Sequence, residues 1–204
     1  MEIREILERV GRLEARGRHE DVLAMLADAL KSAPGNPDLL GAQGNVLYDL
    51  GRHPEAIASY DQALIADPKN PLLWYRKGYA LRKSRKFEES VIAFEKAIEI
   101  DPEFSLALSN LGYSLNEMGK YREAIPFFDR SLAVNPRNVK VITSKAIALR
   151  ELGKLGEAVL LFDKALGINA MNAFVRYHRA IALRKLGRHA EAEADMQIFN
   201  FPIK

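Results

Sequence analysis

Histidines are the side chains of this sequence best suited to bind a metal ion, but their spacing argues against that role. His19, His53 and His189 are separated by one constant interval or by a multiple of it. Groups that recur once per structural repeat lie too far apart to share one ion. The chain has no Cys, which excludes a thiolate metal site, a cysteine nucleophile and a disulfide framework. We expect no metal ion and no cofactor, and we interpret these histidines as packing residues at turns.

Acidic side chains could act as general acids or bases, yet they follow the same spacing. Glu55, Glu123, Glu157 and Glu191 recur at one position of the period, where the pattern described below predicts the first turn of a helix. The helix dipole stabilises negative charge at such a position. The sequence contains no glycine-rich phosphate loop, HExxH motif or GxSxG motif. We therefore predict that the protein is not an enzyme.

Lysine and arginine are concentrated in two segments that could attract an anionic partner. Segment 76–86 contains six basic residues and no acidic one, and segment 176–188 contains five more. Three interpretations remain open. The segments are solvated helix ends, a site for an acidic peptide, or a surface for nucleic acid, which needs a larger area of single-sign charge.

The composition is that of a folded protein. Of 204 residues, 48% are hydrophobic and 28% are charged, and 30 Lys and Arg residues nearly balance 27 Asp and Glu residues. No apolar run approaches the roughly 20 residues of a membrane helix. Charged side chains are spread through the N-terminal segment, unlike in a signal peptide. We expect a soluble, cytoplasmic protein.

One constant spacing extends over nearly the whole chain, and it is clearest in the steps between Pro34, Pro68, Pro102 and Pro136. Columns in phase with the prolines define six repeats: 3–36, 37–70, 71–104, 105–138, 139–172 and 173–204. The other columns are Gly17, Gly51, Gly119, Gly153 and Gly187, with Arg85 in the one gap; Gly44, Gly78, Gly112, Ala146 and Ala180; and Tyr60, Phe94, Phe128 and Phe162.

Each repeat is predicted to form two helices. In the fourth repeat, Leu108, Leu111 and Leu115 have the spacing of one helix face, and Gly119 supplies a left-handed turn after it. One helix pair cannot bury its apolar face alone, so successive pairs must stack. Pro126 falls early in the second helix of this repeat, and we expect it to delay or kink the start of that helix.

The pattern resembles the tetratricopeptide repeat (TPR) family, which has the consensus W-x2-L-G-x2-Y, then A-x3-F, then P. The fourth repeat carries it as Leu108, Leu111-Gly112, Leu115, Ala124, Phe128 and Pro136. The resemblance implies an all-α fold, a right-handed superhelical solenoid of six stacked helix-turn-helix repeats that forms a single domain over 1–204. Arg9-Val10 replaces Leu-Gly in the first repeat, and Ala170 replaces proline in the fifth.

The resemblance also implies that the first helices line a concave groove in which a peptide binds. Asparagine can donate to and accept from a peptide backbone, tyrosine offers rigid amphipathic area, and arginine binds carboxylates. For Tyr79 and Tyr113, burial between neighbouring first helices is the alternative. The residues carried over to the groove are Asn45, Tyr48, Tyr75, Arg76, Tyr79, Arg82, Asn110, Tyr113, Lys140, Tyr177 and His178.

These observations favour a protein–protein interaction scaffold that binds a peptide or a segment of a partner protein in the groove. The alternative is an RNA-associated α-solenoid that uses the basic later repeats. Some family members bind a chaperone's C-terminal carboxylate with five residues, but only Asn110 and Lys140 match that set, so we do not predict such binding. Nucleic acid and membrane are not expected partners.

The C-terminal tail from Phe199 to Lys204 is rich in apolar residues. An apolar patch at a chain end commonly marks a contact surface. We expect the tail to fold back over the last helix pair or to cover a second copy of the chain in a homodimer.

Overall fold

The computed structural model describes residues 2–198, and this part of the chain forms twelve α-helices and no strand. Each sequence repeat contains one helix pair, so the predicted all-α repeat fold is confirmed. The predicted contacts of the tail from Phe199 to Lys204 lie outside the described residues. The helices are α1 (Ile3–Glu14), α2 (His19–Ser32), α3 (Pro37–Asp49), α4 (His53–Ala66), α5 (Pro71–Lys83), α6 (Phe87–Ile100), α7 (Ser105–Glu117), α8 (Tyr121–Val134), α9 (Val139–Glu151), α10 (Leu155–Ile168), α11 (Ala173–Lys185) and α12 (His189–Gln197).

The chain divides into two compact units, Met1–Pro102 (unit 1) and Glu103–Lys204 (unit 2). In unit 1 each helix from α1 to α5 packs on the one that follows it, and the first helices α1, α3 and α5 also contact one another in order. Unit 2 repeats this arrangement with α7 to α12, in which α9 contacts both α7 and α11. Each unit is thus a short solenoid of three helix pairs, with a row of first helices.

The turn inside each helix pair requires a left-handed backbone conformation. Gly17, Gly51, Gly119, Gly153 and Gly187 have φ values between +69° and +78°. Glycine adopts such values without a steric penalty, because it lacks a Cβ atom. The gap in this column is filled by Arg85, which nevertheless keeps φ at +60°. The repeat therefore imposes the turn even where the residue is unsuited to it.

Asparagine side chains begin four of the first helices. The Oδ1 atoms of Asn36, Asn70, Asn138 and Asn172 each accept a hydrogen bond from a backbone N–H three residues ahead, at 3.0 to 3.2 Å. Such a cap satisfies one of the unpaired donors at a helix N-terminus and stabilises the helix by about 1 kcal/mol. The caps share the period of the prolines, and they form a column that our sequence analysis did not identify.

The glycine and aromatic columns of the sequence pack directly on each other. A Cβ atom built on Gly112 would lie 2.5 Å from the ring of Phe128, and one on Gly44 would lie 2.5 Å from Tyr60. At Gly78 the nearest ring, that of Phe94, is 2.8 Å away. The small residue therefore makes room for the aromatic ring that follows on the second helix of the same repeat.

Of the two effects expected of Pro126, the delayed start of α8 is wrong, and the kink stays a prediction. The helix begins at Tyr121 and has 14 residues, as do α4, α6 and α10. Packing of Ala124 and Phe128, both fully buried, holds this helix in the register of the others. Tertiary packing thus outweighs the local preference of proline.

Ion pairs link the second helix of one repeat to the first helix of the next. Asp61 pairs with Lys77 at 2.6 Å, and Asp129 pairs with Lys145. Asp163 pairs with Arg179 at 2.5 Å. The separation along the chain is the same in each case, so these pairs are a further periodic feature of the stack.

Candidate functional site

The predicted binding residues of unit 1 come together on the row of first helices. Asn45 and Tyr48 lie on α3, and Tyr75, Arg76 and Tyr79 lie on α5. All five line one cavity of about 320 Å³. The complete lining is Glu14, Asn45, Tyr48, Asp49, Tyr60, Tyr75, Arg76 and Tyr79.

Aromatic rings form much of the wall of this cavity. The ring centroid of Tyr79 is 5.4 Å from that of Tyr48 and 6.0 Å from that of Tyr75. The Oη of Tyr60 donates a hydrogen bond of 2.9 Å to Oδ1 of Asn45. That bond fixes the amide so that its Nδ2 group remains a donor, and the wall combines rigid aromatic area with hydrogen-bonding groups.

Burial favours the neutral form of three tyrosines of the cavity, Tyr48, Tyr60 and Tyr75. Burial raises the pKa of Tyr48 above its ordinary value, and a hydrogen bond with Tyr79 raises it further. Burial likewise raises the pKa of Tyr60 and Tyr75. Neutral hydroxyl groups can both donate and accept hydrogen bonds, which suits recognition of a peptide backbone.

Arg82, the remaining predicted residue of unit 1, lies against the aromatic wall. Its guanidinium carbon is 5.2 Å from the ring centroid of Tyr79, and the ammonium of Lys83 is 5.8 Å from the same centroid. Both cations therefore pack on Tyr79, which is itself half-buried between α3 and α5. The alternative interpretation of Tyr79, burial between neighbouring first helices, thus describes part of its environment.

Three cavity residues, Glu14, Asp49 and Tyr60, were absent from the predicted set. Glu14 lies at the end of α1 and Asp49 at the end of α3, and Tyr60, on α4, was placed only in the aromatic column of the repeat. A signal for Glu14 exists, because Glu14, Tyr48 and Arg82 occupy the same position of three successive repeats. Tyr60 is only 2% exposed and still lines the cavity, which no periodic pattern reveals.

The predicted residues of unit 2 are more dispersed. Asn110 is 5% exposed, and its amide nitrogen donates to the carbonyl of Leu106 within α7 at 2.8 Å. The ammonium of Lys140 lies 4.8 Å from the ring centroid of Tyr113. Asn110 therefore lies in the interior of the unit, whereas Lys140 is exposed.

Lys140 also lines a second cavity, of about 380 Å³, on α9 and the start of α11. Phe174, 59% exposed, forms its aromatic side. The other lining residues are Val139, Thr143, Ser144, Asn169 and Asn172. Lys140 is the one predicted binding residue among those that line it.

His178 is part of an aromatic cluster on α11 in unit 2. Its ring stacks on Phe162, with centroids 6.5 Å apart, and meets Phe174 and Tyr177 edge-on at 4.3 and 5.3 Å. Arg150 Nη1 lies 2.7 Å from Nδ1 of His178. Because arginine can only donate, Nδ1 accepts and the ring proton lies on Nε2. Burial, followed by the charge of Arg150, lowers the pKa of His178 to about 4.

The basic residues of segment 176–188 are largely engaged within unit 2. Asp195 on α12 is 1% exposed and receives hydrogen bonds of 2.7 Å from Arg176 and Arg179. Arg188 pairs with Glu191 at 2.6 Å. These three cations therefore stabilise the last helix pair and do not form an open basic surface.

Among residues 2–198, no group of three or more His, Cys, Asp or Glu side chains is placed so that it could hold a metal ion. Within the same residues, none of the helices has both the length and the apolarity needed to cross a bilayer.

Comparison with known sequences matches tetratricopeptide repeat models to most of the chain. One model matches residues 9–71, 42–103 and 144–198, and a second matches 105–138. No curated protein matches the sequence.

Solved structures share the fold at low sequence identity. A tetratricopeptide repeat protein from Parabacteroides merdae has a TM-score of 0.83 at 22% identity, over 98% of this chain and 80% of its own. PilF of Pseudomonas aeruginosa has a TM-score of 0.81 at 20% identity, over 97% and 92% of the two chains. YrrB, described as a TPR protein with an unusual peptide-binding site, has a TM-score of 0.76 at 20% identity, over 86% and 92%.

Proposed function

The chain belongs to the tetratricopeptide repeat family, and from that premise we propose that it binds a segment of a partner protein on its first helices. The cavity of unit 1 carries this proposal, because it brings together five of the residues that the sequence singled out. The chain acts by binding, as a scaffold, and catalyses no reaction. The peptide-binding site reported for YrrB, a structure with the same fold, supports the same class of function.

The chemistry of the cavity suits an extended peptide. The fixed amide of Asn45 and the hydroxyl groups of the tyrosines can pair with backbone carbonyl and N–H groups. The tyrosine rings cover side chains with little loss of conformational entropy, since each ring has only two side-chain torsions. A volume of about 320 Å³ is at the small end of ligand pockets, enough for a side chain and adjoining backbone.

Binding of RNA through the later repeats finds no support among the described residues. Arg176, Arg179 and Arg188 are neutralised by carboxylates on α10 and α12. A nucleic-acid surface would need such cations to face phosphate groups. We therefore keep the peptide as the proposed ligand.

Selection of short randomised peptides on the full-length chain tests the proposal. We expect enriched peptides whose binding is unaffected by nuclease and is weakened about tenfold by Arg76→Gln, because a charge-assisted hydrogen bond is lost. Fluorescence polarisation with the labelled peptide measures the affinity. Arg76 forms no ion pair among residues 2–198, so the variant should melt at the temperature of the wild type.

Lys96→Gln is the matched control, since Lys96 is an exposed cation on the second helix α6. It should leave peptide affinity unchanged. Binding that is lost in Lys96→Gln and retained in Arg76→Gln would contradict the proposal.

A further inference from the structure

Two carboxylates in the cavity of unit 1 form no direct ion pair within the described residues. Glu14 on α1 and Asp49 on α3 both line the cavity, and neither forms an ion pair or a side-chain hydrogen bond within residues 2–198. Arg76 lies in the same cavity without pairing with either of them. The charges of His19 and Arg76 attract the Glu14 carboxylate without an ion pair, so the negative charge on this side of the cavity is only partly compensated.

Other half-buried acidic side chains of unit 1 are paired. Asp61 contacts Lys77 at 2.6 Å, and Asp67 accepts a hydrogen bond of 2.9 Å from Asn70. Glu14 is half-buried as well, whereas Asp49 is exposed. Burial, followed by repulsion from Asp49, raises the pKa of the Glu14 carboxyl group, and attraction to His19 and Arg76 offsets only part of that rise. Burying a carboxylate beside a like charge is unfavourable unless a cation arrives.

The surrounding rings specify what kind of cation fits. Tyr48, Tyr75 and Tyr79 line the same cavity as the two carboxylates. Aromatic faces attract organic cations, and they also cover the methylene stem of a lysine or arginine side chain. A hydrated metal ion gains nothing from such walls, and two carboxylates alone do not form a metal site.

We propose that the cavity of unit 1 binds a lysine or arginine side chain of the partner peptide, with its charged group at Glu14 and Asp49 and its stem against the tyrosine rings. This inference rests on the proposed function and adds the charge of the residue that is recognised. Asn45 and Arg76 then contact the neighbouring peptide backbone, which sets the position of the basic residue.

A double-mutant cycle between chain and peptide tests this recognition. The probes are a peptide enriched on the full-length chain and its derivatives in which each Lys is replaced by norleucine and each Arg by citrulline. One such replacement should weaken binding to the wild type by about tenfold or more, because a charge-assisted pair is lost. The same replacement should have little effect on binding to the variant Glu14→Gln/Asp49→Asn.

Glu5→Gln/Asp38→Asn provides the matched control. It removes two exposed carboxylates from the same helices, α1 and α3, and neither residue lines the cavity. This variant should retain the full effect of the peptide replacement. Far-UV circular dichroism and melting temperature confirm folding, and Glu14→Gln should melt no lower than the wild type because it removes repulsion.

The outcomes separate the two proposals. Some peptides could bind at the cavity, as shown by weaker binding to Arg76→Gln, and yet need no basic residue. That result would overturn the charge assignment alone. Peptides that need an acidic residue to bind the wild type, but not to bind Arg76→Gln, would also overturn the charge assignment alone. Failure to enrich any peptide would contradict the proposed function, and this inference with it.

Discussion

At the scale of single residues, backbone strain at Arg85 is the clearest departure from the repeat. Its φ of +60° places a Cβ atom in the left-handed region, where a non-glycine residue is disfavoured by about 1–2 kcal/mol. Its guanidinium lies 5.9 Å from the ring centroid of Phe87, a contact too long to offset much of that strain.

Replacement of Arg85 by glycine should therefore stabilise the protein. We expect the free energy of unfolding in Arg85→Gly to rise by about 1 kcal/mol, measured by urea denaturation. Gly119→Ala should lower it by a similar amount, since nothing lies within 4 Å of the added Cβ and only the backbone conformation is strained. Equal stability of all three proteins would show that the turn relaxes.

His178 should make the stability of the protein depend on pH. Its pKa is about 4 in the folded chain, below its ordinary value of 6.5, so the unfolded chain binds a proton first as pH falls. The stabilising contribution is complete above pH 6.5 and is lost towards pH 4. Allowing for solvent screening, we expect a loss of about 1 kcal/mol between pH 7 and pH 5.

Chemical denaturation of His178→Gln at both pH values measures this contribution. The variant should show a smaller loss than the wild type, because glutamine does not titrate. His189→Gln, at an exposed histidine, should keep the wild-type pH dependence. An identical loss in His178→Gln and wild type would assign the effect to other groups.

At the scale of helices, the pairing of a small residue with an aromatic ring determines how closely the two helices of a repeat approach. Phe128 is fully buried, so its ring cannot move aside for a new atom on Gly112. The fifth repeat has Ala146 instead, and its ring, Phe162, is equally buried. The helix pair of the fifth repeat thus accommodates a Cβ atom for which the fourth repeat has no room.

Gly112→Ala should destabilise the chain by about 1–3 kcal/mol, because overpacking forces the buried ring out of place. Thermal or urea unfolding measures the change. The control Gly11→Ala lies on an exposed part of α1 with nothing within 4 Å, and it should gain about 1 kcal/mol from helix propensity. Phe128→Leu should partly rescue Gly112→Ala; absence of rescue would refute the assigned contact.

Features that depend on one residue column were predictable from the sequence. Features that depend on side chains from different helices coming together were not. The period of the proline column predicted twelve helices, the glycine turns and the small-to-aromatic columns. It could not show that Tyr60 lines a cavity while remaining 2% exposed, or that Asn110 turns inward, because both depend on packing between helices. The start of α8 was misjudged at Pro126 for the same reason, since packing overrides the local preference of proline.

At the scale of the whole molecule, the first and last described helices, α1 and α12, should be less stable than the helices packed on both sides within each unit. α1 contacts α2 and α3, and among the described helices α12 contacts only α11. Helices within each unit, such as α4 and α10, are packed on both sides. Stability in a repeat protein is approximately a sum over repeats and their interfaces, so end helices have fewer stabilising terms.

Hydrogen exchange measured by mass spectrometry should therefore be fastest in α1 and α12 and slowest in α4 and α10. Asp195→Asn should further accelerate exchange in α12, because it breaks a buried ionic network with Arg176 and Arg179. Exchange in α1 should not change in this variant. Uniform protection along the chain would indicate a single cooperative unit.

The ion pairs between successive repeats have a consequence for redesign of the chain by duplication. A second copy of residues 139–172 inserted after the first would carry its own Lys145 and Asp163. The original Asp163 would then face the inserted Lys145, and the inserted Asp163 would face Arg179, at the chain separation that the natural pairs have. Both new junctions would be charge-matched without any redesign, so the chain carries in its own sequence the connectors needed to lengthen it one module at a time.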